Sequence, residues 1–228
     1  MNKGLMLALF GVLLGSTFAA ITNVTDTVEG VTGKYTYNLG TANTTTEGGN
    51  VTEVNLSSNS STEKWAGFYG NVSGNLLLAQ SYTTPAMYVW TWAPASGGEV
   101  CASTGSDFGW SAVQTTTKNL IDAAWYFATG DSDSATNTLT DVSAVYDVNG
   151  VTGTTTGTYT RDNSGASVWQ TFALDDTGAA KGDFAFCVNM STSKTFAPNG
   201  NTGAYQLMVA TNETAATYET YFFFVELN

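Results

Sequence analysis

From about residue 142 the chain is punctuated at regular short intervals, and that spacing suits strands and little else. Val142, Ala144, Tyr146 and Val148 alternate with polar residues up to Asn149-Gly150. Alternation of period two marks one buried face, and Asn-Gly between two such runs is a strong hairpin signal. Thr152 to Thr160 is the expected return strand. Val168 to Leu174, Phe184 to Met190, Tyr205 to Ala210 and Tyr218 to Leu227 follow, separated by Gly, Asn and Asp. Strands of this length and number predict an all-β fold, an antiparallel β-sandwich of jelly-roll-like type. The nearly continuous apolar ending Tyr218 to Leu227 reads as an intrachain strand buried on both faces, with a strand handed to a neighbouring subunit as the alternative.

One short helix interrupts the pattern, near 117–128. Thr117 is placed to cap it, Leu120, Ile121, Ala124, Trp125 and Ala128 mark one face, and Gly130 stops it. Ahead of the helix, Ala86 to Trp92 predicts a strand with Tyr88, Trp90 and Trp92 on one face. Glu99 to Ala102 predicts another. In Glu63 to Gly74, three aromatics are mixed with glycines. Trp65 with Phe68 or Tyr69 is expected to anchor the core, while Gly67, Gly70 and Gly74 let the strand bend.

The N-terminal part is different in kind. Residues 1–20 have a short basic start, an apolar run from Leu5 to Leu14 and small residues before Ala20, the pattern of a secretory signal peptide. Residues 21–62 form a Thr/Asn/Ser/Gly-rich segment with expected strands at Val31–Leu39 and Val51–Leu56. The sandwich body is placed at 63–228, with 21–228 as one domain the alternative. N-glycosylation acceptors of the form Asn-x-Ser/Thr stand at Asn23, Asn43, Asn50, Asn55, Asn59, Asn71, Asn189 and Asn212. Five of the eight crowd into 43–71, which would gather sugar at one edge of the molecule.

Charge narrows the functions. Seven Lys+Arg against nineteen Asp+Glu give a net charge of -12, and the cations are scattered. Nucleic acid and anionic lipid surfaces both need a basic patch, so neither is an expected partner. The absence of histidine removes Ser-His-Asp and Cys-His catalysis. Only 11% of residues are charged, against roughly 25% in ordinary soluble domains, which points to a surface solvated by hydroxyls, amides or sugars.

Remaining constellations are weak as chemistry. Cys101 and Cys187 both lie in apolar strands, and in a secreted chain a disulfide between them is the plain expectation; two buried thiols are the alternative. Asp131, Asp133 and Asn137 offer oxygen ligands for calcium, but Ala135 stands where a calcium loop needs its third ligand, so a solvated acidic loop is the better reading. A carboxylate pair would make a glycoside hydrolase, yet nineteen acids offer many pairs and none is singled out. The six tryptophans (Trp65, Trp90, Trp92, Trp110, Trp125, Trp169) read first as core and second as a sugar-stacking face.

Two segments resemble a known group. Lys64-Trp65-Ala66-Gly67-Phe68-Tyr69-Gly70-Asn71-Val72-Ser73-Gly74, followed by Tyr88-Val89-Trp90 and Gly98-Glu99-Val100, resembles the opening of a group of uncharacterised secreted archaeal surface proteins. The ending Tyr221-Phe222-Phe223-Phe224-Val225-Glu226-Leu227 is similar to theirs, with Gly182-Asp183-Phe184 a weaker match. The resemblance covers roughly residues 63–110 and 182–227 and implies secretion and an exported β domain. It carries no activity and no functional residues.

The expectation is therefore a non-enzymatic structural protein of the cell exterior, without cofactor and with no membrane span after signal cleavage. It would be a glycosylated subunit of a filament, pilus-like thread or surface layer, a homo-oligomer or homopolymer assembling by donor strand from residues 21–39. A carbohydrate-binding module or adhesin comes second, and a secreted glycoside hydrolase third.

Overall fold

A computed structural model of the chain describes residues 22–23, 48, 62–80, 85–92, 97–128, 130–191, 194–196, 200–212 and 218–227. The expected signal peptide, the strands at 31–39 and 51–56, and acceptors Asn43, Asn50, Asn55 and Asn59 lie outside the described residues.

The elements in order are β1 (Thr22–Asn23), β2 (Trp65–Gly70), β3 (Gly74–Leu78), β4 (Tyr88–Trp92), β5 (Glu99–Ser103), β6 (Gln114–Thr115), α1 (Lys118–Ala124) and α2 (Ala135–Thr138). Then come β7 (Asp141–Val148), β8 (Val151–Arg161), β9 (Ser167–Asp175), β10 (Phe184–Asn189), β11 (Lys194–Thr195), β12 (Thr202–Gly203), β13 (Tyr205–Ala210) and β14 (Phe222–Glu226). The main sheet runs β1-β14-β5-β10-β9-β8-β7, with β6 added beside β9. Its strands are antiparallel throughout. Three two-stranded antiparallel ladders, β2–β13, β3–β4 and β11–β12, complete the all-β sandwich.

The apolar runs are explained by burial on both faces of the main sheet. On β10, Phe184, Phe186 and Val188 enter one core, while Ala185 and Cys187 enter a second. β5 divides likewise, Val100 and Ala102 against Cys101. So does β14, with Phe223 and Val225 on one side and Phe222 and Phe224 on the other. A strand covered twice has no polar face to show, so the expectation for Tyr218 to Leu227 holds, although the strand proper is shorter.

Different structures cover the two faces. β2 and β13 lie on the first with Trp65, Leu207 and Val209, joined by Ile121, Trp125, Ala135 and Leu139 from the helical region. The second face is covered by the sheet's own far end. Ala144, Tyr146 and Val148 of β7 share a core with Cys101, Phe172 and Phe224, so the sheet rolls over and brings β7 to β14. Asn149 (φ 52°) and Gly150 (φ 73°) make the expected hairpin turn, with both residues left-handed as a type I′ turn requires. Its backbone then seals the roll: the Asn149 N–H donates to Glu226 Oε2 at 2.7 Å.

The Thr-rich return strand is internal glue. The Thr155 hydroxyl donates to the Ala173 carbonyl at 2.7 Å, and that of Thr156 to Leu139 at 3.0 Å.

The helix forms where expected but ends early, because Tyr126 turns left-handed (φ 56°) before Gly130 is reached. Thr117 is extended at the N-cap, yet its side chain makes no capping bond. Leu120, assigned to the buried face, is 40% exposed, whereas Ile121 and Trp125 are fully buried. The acidic loop contains a second helix, α2. Its first amides are capped from elsewhere, with Asp122 of α1 accepting from the Ala135 and Thr136 N–H groups at 2.6 and 3.2 Å.

The glycines near Trp65 stand within and at the ends of the first two strands of the body. Gly67 lies within β2, Gly70 ends it and Gly74 begins β3.

Candidate functional site

β14 carries a paired strand on each of its edges. One edge is laddered to β5 over Phe222–Ser103 to Glu226–Glu99. Its other edge carries β1, with Thr22 opposite Val225 and Asn23 opposite Phe224. The residues just after the expected cleavage point thus sit on the sheet edge, as a short antiparallel strand. Asn23, a sugar acceptor, is one of its two residues.

The β3–β4 hairpin exposes large apolar side chains on one face. Leu76 pairs with Trp90 and Leu78 with Tyr88, which sets all four side chains on one face. They are 55%, 53%, 62% and 57% exposed respectively. The other face carries a polar cross-strand pair, Thr91 Oγ1 donating to Asn75 Oδ1 at 2.7 Å. An isolated two-stranded ribbon is marginal in water, and one with an apolar face exposed more so.

The tryptophans divide between these roles. Trp65, Trp125 and Trp169 are core, each with its indole N–H satisfied: by the Asp133 carbonyl at 2.7 Å, Glu219 Oε2 at 3.0 Å and the Ala204 carbonyl at 3.1 Å. Trp110 is half-buried against Phe108 and Phe224. Trp90 departs from the core reading, because β4 pairs only with β3 among the described residues. The Trp92 side chain lies outside the described residues.

Cys101 and Cys187 form a disulfide, as expected. They are Cα partners on β5 and β10, both essentially inaccessible. The acceptors Asn71, Asn189 and Asn212 are exposed, as a glycan would require.

The calcium candidates are engaged by protein groups. Asp131 Oδ2 pairs with Lys64 Nζ at 3.2 Å and accepts from the Ala128 N–H at 2.9 Å. Asp133 accepts from the Thr62 hydroxyl, and Asn137 Nδ2 donates to the Asp131 carbonyl at 2.7 Å. Among the described residues no group of three acids and cysteines is arranged to hold a metal ion. Nor is any described helix long and apolar enough to cross a membrane.

One pair of acids escaped the sequence reading. Glu99 and Glu226 are Cα partners on β5 and β14, 6% and 4% exposed. Burial, then the neighbouring Glu226 and Asp147, pushes the Glu99 carboxyl up to about 8. Burial also raises Glu226, opposed by the hydrogen bond from the Asn149 N–H. Glu99 Oε2 has no hydrogen-bond partner among the described residues. The sequence does carry a signal: each is a lone acid beside apolar residues, in Glu99-Val100-Cys101-Ala102 and Phe224-Val225-Glu226-Leu227. Both carboxyl groups are closed off from solvent. Known protein families, curated proteins and solved structures offer no match to this chain.

Proposed function

We propose that the protein is a glycosylated structural subunit of an extracellular filament, pilus-like thread or surface layer, in which β14 accepts the N-terminal strand of a neighbouring copy. The observation that carries this reading is the seating of Thr22–Asn23 on the outer edge of β14. A strand that pairs within its own chain can make the same ladder in another copy, at little cost in contacts. The 38 residues between Asn23 and Thr62 have a contour of ~125 Å, ample for such an exchange. The low-charge surface, the eight acceptor tripeptides and the buried disulfide are consistent with a long life outside the cell.

The test is a cross-link at the seat. Thr22→Cys with Val225→Cys places two thiols at partnered positions. A ladder of covalent multimers on a non-reducing gel supports strand donation. A monomer closed on itself, with no multimers at any concentration, overturns it.

A second reading, a carbohydrate-binding module or adhesin, is favoured by Tyr88 and Trp90 on one exposed face. Aromatic rings so placed can stack on sugars. Loss of binding to immobilised polysaccharide in Trp90→Ala, with unchanged folding, would select it.

A further inference from the structure

Glu99 and Glu226 face each other across the β5–β14 ladder with no ion pair to Lys or Arg among the described residues. Like charges directly opposite on a ladder repel, and a buried carboxylate without a counter-ion is costly. The surroundings give no relief. β7 contributes Asp147, a third acid, and β10 contributes Asn189, an uncharged amide opposite Glu99. The β7–β8 turn contributes only the Asn149 N–H, which is held by Glu226 Oε2. A neutral Glu99 removes the repulsion; an ionised one restores it where the two ends of the rolled sheet meet.

We propose that Glu99 and Glu226 form a proton-held latch that keeps the rolled sheet closed in acid and is released when Glu99 ionises. The latch acts on one seam, the contact of β14 with the Asn149–Gly150 turn. It stands whether or not the chain assembles into filaments.

The direction of the pH effect follows from the protons bound. The unfolded Glu99 releases its proton near 4.5, the folded one near 8. Between these values the folded state holds more protons, so stability falls as pH rises through that window and is fully present below it. Glu226, also raised, adds in the same sense.

The test compares denaturant unfolding of the full-length protein at pH 5 and pH 8 with that of Glu99→Gln. In the wild type the folded-to-unfolded ratio is expected to fall roughly tenfold or more, since each raised unit of pKa is worth about a factor of ten. In Glu99→Gln the fall should largely vanish. Carboxyl-carbon NMR of the glutamate-labelled wild type needs no mutation, and should show one glutamate titrating well above the rest. Asn149 amide exchange, corrected for intrinsic rate, should quicken over the same range. All glutamates titrating in the ordinary range, or Glu99→Gln keeping the wild-type fall, would overturn the latch. Restoration of wild-type stability at pH 8 by millimolar calcium chloride would also overturn it, by making the pair a cation site.

Discussion

Trp125 donates its indole N–H to Glu219 Oε2 at 3.0 Å, while Lys181 Nζ holds the other oxygen of that carboxylate at 2.6 Å. Trp125 is fully buried and Lys181 is not, so the two bonds differ in worth. Glu219→Ala leaves a buried indole donor unpaired and is expected to cost ~1 to 3 kcal/mol. Lys181→Met removes a partly exposed ion pair and should cost less than about 1 kcal/mol. Urea unfolding of both variants checks the order, and equal losses would contradict it.

Trp169 and Trp90 make a matched pair for a second measurement. Trp169 is 1% exposed and stacked on Phe196 at 5.5 Å, whereas Trp90 is 53% exposed. Trp169→Ala should destabilise by ~3 to 5 kcal/mol through the cavity it leaves. Trp90→Ala should stay within about 0.5 kcal/mol. Denaturant midpoints at constant slope measure both.

Gly98 sits at φ +97°, where a side chain is strained, and a Cβ there would lie 1.9 Å from the Glu226 carbonyl oxygen. Neither backbone can yield without parting β5 from β14. Gly98→Ala is expected to cost ~2 kcal/mol or more, from strain and clash together. A thermal melt in which the variant matches the wild type would contradict this close approach.

The disulfide closes a loop of 86 residues, which the chain-entropy model values at ~4 to 5 kcal/mol. Cys101→Ala with Cys187→Ala should lose ~2 to 4 kcal/mol while keeping the β signature in circular dichroism, since the β5–β10 ladder remains. Because both sulfurs are buried, dithiothreitol should leave the native protein oxidised and reduce it only in denaturant. Thiol counting by mass after alkylation distinguishes the two states.

Much of the fold was legible because its signals are local. Asn149-Gly150, the alternation before it and the apolar runs at Phe184 and Phe222 each depend on neighbours in sequence. What stayed hidden depends on distant residues. α2 is capped by Asp122, thirteen residues before Ala135, so no local pattern announces it. Trp90 and Trp169 are both strand tryptophans; what separates them is that the β9 ladder is covered on both faces and the β3–β4 ribbon is not. Glu99 and Glu226 lie 127 positions apart; each is a lone acid beside apolar residues, but only the β5–β14 ladder makes them one coupled pair. The seat of β1 on β14 joins the two ends of the described chain, and no local pattern in the sequence announces it.

The bond between Cys101 and Cys187 also decides how the molecule answers to tension. A pull along the chain travels through the sulfurs and bypasses everything between them. The loop they close, ~290 Å if drawn straight, cannot be paid out. Strands β6, β7, β8 and β9 of the main sheet lie wholly within it. A stretched molecule can therefore shed β14 and the segments outside the two cysteines, then stops lengthening with the rest still spared the load.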